Sequence, residues 1–103
     1  MYLFRFGALL LVLAFSPAQA KNLSHGRAVA RAHCGHCHAI GRSGSSPLRA
    51  APPFRFLHRR YPVEGMQESL AEGIITGHPA MPEVRLAPDE IADFIAYLKT
   101  LER

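Results

Sequence analysis

Cys34, Gly35, His36, Cys37 and His38 stand together in a chain that has two cysteines in all. Cysteines at i and i+3 are close to one helical turn apart, so both sulfurs lie on one side of a short turn. From there both can reach the two vinyl groups of one porphyrin. The histidine that follows can then bring its imidazole under the iron as the proximal ligand. The pentapeptide therefore reads as an attachment site for haem c, covalent through Cys34 and Cys37, with His38 on the metal. A thioether is not reducible, so the group stays attached when the chain partly unfolds.

Two other chemistries compete for the same residues. A Cys-x-x-Cys pair also serves as a reactive thiol redox couple, usually beside a βαβ pattern, which this sequence lacks. Zinc would take Cys34, Cys37 and two of His33, His36 and His38. The usual second ligand pair, 12 to 20 residues further on, is missing.

The first twenty residues carry one charged side chain, Arg5, then an apolar run from Phe6 to Phe15 and the small-residue ending Ala18-Gln19-Ala20. This is the pattern of a secretory signal peptide cleaved after Ala20. About ten apolar residues fall well short of the roughly 20 needed to span a bilayer. The expected mature chain is one domain, Lys21 to Arg103, exported to the periplasm, with no membrane span. A domain of that size buries only about 60% of its unfolded surface and is marginal without a staple. With no tryptophan and no cysteine to spare, a covalently held macrocycle would supply the missing apolar centre.

Charge is divided along the chain. Lys21 to Val63 holds eight basic residues and no acid, whereas Glu64 to Arg103 holds eight acids and three bases. Such a dipolar molecule steers charged partners. Nucleic acid is a poor fit, because the basic residues are scattered with few aromatics among them.

Leu23 to His33 reads as a first helix with Asn22 or Ser24 as its N-cap. Gly26, with Ala28, Ala30 and Ala32, leaves this helix thin enough for another element to cross closely. Gly41 to Pro47 is a turn-rich loop. Pro52 and Pro53 hold the next stretch extended, which suits a wall whose free carbonyls can accept the proton on the far nitrogen of an iron-bound imidazole. Phe54, Phe56 and Leu57 begin a short apolar helix ending at Tyr61-Pro62. Glu64 to Glu72 reads as another helix, with Met66, Leu70 and Ile74 on its apolar face, Glu64, Glu68 and Glu72 as a solvated stripe, and Gly73 as a stop.

Met81 follows no helical stripe. It lies in a loop between Pro79 and Pro82, where its soft thioether suits low-spin haem iron and raises the potential. His78 competes for that role but reads as solvent-facing. The last helix opens at Pro88, with Asp89 and Glu90 in its first turn and Ile91, Phe94, Ile95, Leu98 and Leu101 as its apolar stripe. Ala87 is a poor N-cap. No strand pattern and no repeat appear, so the chain is expected to be all-α.

In this order of features the mature chain resembles the small monohaem cytochromes c of class I. The resemblance implies helices wrapped around one haem, with Met81 as the sixth iron ligand. It also implies that the Pro52 carbonyl orients His38, with Pro52 and Phe54 lining the cofactor. The first and last helices of that family cross at a glycine against an aromatic, here Gly26 against Phe94 or Tyr97. The function implied is one-electron transfer by a monomeric carrier, not an enzyme, that docks electrostatically with donor and acceptor proteins through a basic surface including Arg42, Arg55, Arg59 and Arg60. Two alternatives stay open: a labile sixth site that binds small ligands or acts like a peroxidase, and a cytochrome subunit dedicated to one dehydrogenase.

Overall fold

The computed structural model describes residues 2–3, 7, 10–12, 21–75, 78 and 80–103. The expected cleavage site after Ala20 lies outside the described residues, as does Pro79. Among the described residues three α-helices carry the fold: α1 (Leu23–Cys34), α2 (Met66–Glu72) and α3 (Pro88–Thr100). Short 3-10 helices at Phe54–Arg59 and Val63–Gly65 join them. The chain is all-α, as its periodicity predicts. Among the described residues the extended pairing amounts to one isolated antiparallel bridge, Ile74 with Val84.

Helix α1 starts where a good capping residue stands. The Asn22 side chain accepts a hydrogen bond from the His25 amide at 3.0 Å, which satisfies one of the donors a helix start leaves open. Helix α3 lacks such a residue at Ala87. There the Glu90 carboxylate accepts instead from the Ala87 amide at 3.0 Å, which is half of a capping box. Ser24 is not used as a cap, because the helix is already under way at that position.

The centre of the molecule is the crossing of α1 and α3. Gly26 is buried in it: a β-carbon there would stand 2.8 Å from Tyr97 Cβ and closer still to the Asp93 carbonyl. Of the two aromatics weighed for this contact, Tyr97 is the one that Gly26 meets. The α3 stripe of Ile91, Phe94, Ile95, Leu98 and Leu101 is fully buried, together with Val29 and Ala30 of α1. Phe54, Leu57, Val63, Leu70 and Leu86 complete the core. Burying an aliphatic or phenyl side chain contributes about 1.5–3 kcal/mol, so this stripe is the main force holding the crossing.

Two local expectations change. Helix α2 begins at Met66 rather than Glu64, because Pro62 and Gly65 favour a tight 3-10 turn before it. Glu64, Glu68 and Glu72 are all exposed, as the solvated stripe requires, and Glu64 also pairs with Lys99 of α3. Phe56 does not join the core; it lies half-exposed between the guanidiniums of Arg55 and Arg59, each 4.5 Å from its ring centre. Gly73 does end α2, at a φ of 106° that an L side chain rarely adopts.

Candidate functional site

The C-terminal turn of α1 delivers Cys34, and one further turn follows it. The amides of Cys37 and His38 both bond to the Cys34 carbonyl, at 3.2 and 2.9 Å, so the five residues of the motif coil as a unit off the helix end. Both cysteines are unpaired and half-buried. Burial pushes the Cys34 thiol up to about 11. A reactive dithiol needs the opposite, a thiol held low by positive charge or a helix N-terminus. Neither does zinc find a set of ligands: among the described residues no group of three or more His, Cys, Asp or Glu side chains is placed to hold a metal ion.

His38 is held from one side. Its Nδ1 lies 2.8 Å from the Pro52 carbonyl, across fourteen residues of chain. A carbonyl only accepts, so Nδ1 carries the proton and Nε2 keeps its lone pair for a metal. The ring packs against Phe54, with centres 4.8 Å apart and planes tilted by 34°. Phe54 in turn meets Phe94 of α3 edge-on at 6.0 Å, which ties the imidazole to the core. A fixed imidazole beside two free thiols one turn apart is a donor set that fits a covalently attached iron porphyrin.

The segment from Ala39 to Pro53 has no regular structure, yet it is sewn to its surroundings. The Leu48 amide bonds to the Cys37 carbonyl at 3.0 Å and the Phe54 amide to the Ala39 carbonyl at 2.9 Å. The Ser46 hydroxyl accepts from the Ala39 amide at 3.0 Å. From α3, the Tyr97 hydroxyl donates to the Ile40 carbonyl at 2.6 Å. Ser46 and the Tyr97 hydroxyl escaped the sequence reading. Nothing in the sequence marks Ser46, and Tyr97 was weighed there only as a ring for packing.

Met81 comes from the loop between α2 and α3, where it is half-buried and its amide bonds to the His78 carbonyl at 3.0 Å. His78 is exposed. The loop is closed at its neck by the Ile74 amide on the Val84 carbonyl and the Leu86 amide on the Leu70 carbonyl, both 2.9 Å. The structure thus brings Cys34, Cys37, His38, Pro52 and Phe54 into one cluster around the end of α1, and gives Met81 a separate, clasped loop.

Comparison with known proteins places the chain in a family. The family described as cytochrome c oxidase, cbb3-type, subunit III matches residues 21–98. Cytochrome c-552 of Bradyrhizobium diazoefficiens is 31% identical over 86 residues, covering 84% of this chain and 81% of that protein. No solved structure matches significantly. A helix crossing at Gly26, a cysteine-histidine turn at its end and a family match that runs from Lys21 into the last helix lead to one assignment: the chain belongs to the cytochrome c oxidase, cbb3-type, subunit III family of c-type cytochromes.

Proposed function

We propose that this protein is an exported one-electron carrier that holds one haem c covalently through Cys34 and Cys37, with His38 and Met81 as axial ligands. The observation that carries the proposal is the 2.8 Å bond from His38 Nδ1 to the Pro52 carbonyl, made beside two unpaired cysteines. When bound, haem supplies an iron that cycles between ferric and ferrous states.

The chain's own residues do the rest. Cys34 and Cys37 anchor the group, and Pro52 fixes the tautomer and direction of His38 so that Nε2 is the metal-binding atom. Phe54, buried between His38 and Phe94, keeps water from the proximal side. Met81 contributes a soft thioether that raises the potential. Held by both His38 and Met81, the iron would have no position left for substrate, which would favour transfer of electrons over bond chemistry. Export is supported by the apolar run of the first twenty residues. Five of its described apolar side chains, Tyr2, Leu3, Leu10, Leu11 and Val12, are at least 74% exposed and take no part in the core. No helix among the described residues is long and apolar enough to cross a membrane. The basic first half and the acidic second half favour charged redox proteins as partners.

Replacement of Met81 by alanine tests the ligand assignment. Met81→Ala is expected to lower the reduction potential by on the order of 0.1 V, within the roughly 0.8 V that axial ligands span, and to let the reduced protein bind carbon monoxide. The wild-type protein should bind it slowly or not at all. An unchanged spectrum and potential would move the sixth ligand elsewhere, with His78 the next residue to replace. Rapid carbon monoxide binding by the wild type would remove the closed-iron reading.

A further inference from the structure

The 3-10 helix Phe54–Arg59 turns its other face away from His38, toward a cavity of about 190 Å³. Four arginines line it, Arg42, Arg55, Arg59 and Arg103, together with Phe56 and His58. Three of these arginines come from the acid-free first half of the mature chain, and Arg103 comes from beyond the end of α3. No Asp or Glu side chain among the described residues lines the cavity; the one negative group there is the terminal carboxylate of Arg103, the last residue of this chain, against four guanidiniums. Glu102, next to Arg103 in sequence, is drawn instead toward Lys99 at 3.8 Å. None of the four arginines forms an ion pair among the described residues.

Two of the four guanidiniums, those of Arg55 and Arg59, are held in place, while Arg42 and Arg103 are exposed at the cavity rim. Arg55 and Arg59 stack on the two-faced ring of Phe56, each 4.5 Å from its centre, so the two charges stand no more than twice that distance apart. Arg55 is further anchored by its Nη1, which donates to the Gly44 carbonyl at 2.8 Å. Arg103 is held by its backbone, whose oxygen accepts from His58 Nε2 at 3.2 Å. Like charges gathered around one small hollow repel one another, and an anion in that hollow relieves the repulsion.

We propose that this cavity is a binding site for a small free oxyanion of the phosphate type. Guanidinium forks match the paired oxygens of phosphate and make bidentate, charge-assisted hydrogen bonds with it. Size narrows the ligand: the cavity is smaller than the roughly 300–1,000 Å³ pockets that take drug-sized molecules, so it suits an inorganic anion better than a nucleotide. The site does not depend on how the iron is ligated.

The test is a calorimetric titration of the mature, haem-loaded protein with inorganic phosphate, at an ionic strength held constant with sodium chloride. Saturable binding at one site is expected, weakened at least tenfold in Arg42→Gln/Arg59→Gln. It should be unchanged in Arg27→Gln/Arg31→Gln, which removes the same charge from α1. Arg59→Lys should restore only part of the affinity, since it returns the charge without the fork. Far-ultraviolet circular dichroism checks that each variant is folded. Heats that chloride reproduces, equal weakening in the α1 variant, or an acidic protein partner captured through these arginines with no phosphate binding would each overturn the proposal.

Discussion

The α1–α3 crossing and the segment from Ala39 to Pro53 adjoin one another but are held by different means. The crossing depends on shape and apolar contact: a buried glycine, an unbroken stripe on α3 and little tolerance for one more carbon atom. Polar contacts there lie at the rim, where His25 Nδ1 meets Asp93 at 2.7 Å and His33 approaches Glu90 at 3.7 Å. The Ala39–Pro53 segment contributes no side chain to the buried core. Only Ile40 packs against the core, partly buried; otherwise the segment's position comes from main-chain bonds and from single hydrogen bonds between backbone atoms and the side chains of Ser46, Tyr97, Arg55 and His38. A packed interface tolerates the loss of one polar contact. A segment sewn by individual bonds is sensitive to each.

The largest effect separates the two regions from the cofactor that both are proposed to surround. Cys34→Ala/Cys37→Ala should abolish haem attachment and leave residues 21–103 mostly unfolded by circular dichroism, since a core of this size is marginal alone. A stable helical protein without haem would mean that the crossing is self-sufficient. Next comes Gly26→Val, which puts a branched side chain where even a β-carbon meets the Asp93 carbonyl. Overpacking of this kind costs typically 1–3 kcal/mol, and the upper end is expected here, read as a lower denaturation midpoint.

Tyr97→Phe separates the regions more finely. It removes the donor from the Ile40 carbonyl while keeping the ring against Gly26, at a cost of about 1–2 kcal/mol. Hydrogen exchange should quicken in residues 39–54 before it does in α1; equal acceleration in both would show that the loop and the crossing are one unit. The smallest effect concerns pH. The bond to Asp93 raises the His25 pKa above 6.5, and the bond to His25 lowers the Asp93 pKa below 3.8. The histidine's contribution is present below 6.5 and is lost as pH rises through its raised pKa. The aspartate's is present above 3.8 and is lost as pH falls through its lowered one. The rim of the crossing is therefore best held between those limits, and His25→Gln should flatten the fall in stability on the alkaline side. Both groups are at the surface, so the change should be small and salt-sensitive.

How far the sequence carries depends on the kind of contact. Periodicity identified α3 and its buried stripe, because helical spacing and burial are the same fact seen twice. Gly26 was legible as a point of close approach, although the choice between Phe94 and Tyr97 needed coordinates. The stiffness of Pro52-Pro53 pointed to a wall, and resemblance to class I cytochromes pointed to its carbonyl. The Phe56 sandwich was not legible: a phenylalanine in an apolar run reads as core, and only the fold shows that two neighbouring arginines claim its faces. The partner of Glu64 was hidden for the same reason, since Lys99 lies 35 residues away in sequence.

The neck that joins Ile74 to Val84 has a mechanical consequence. Met81 is three residues from Val84 but seven from Ile74, so the short arm acts as a leash. A residue spans at most about 3.3–3.6 Å, which keeps the Met81 backbone within roughly 11 Å of Val84 while the bridge holds. Under the proposed ligation, a Met81 thioether released on such a tether would stay at a local concentration on the order of millimolar or above. Recapture of the proposed ligand would then compete with dilute outside ligands for as long as the Ile74–Val84 bridge holds.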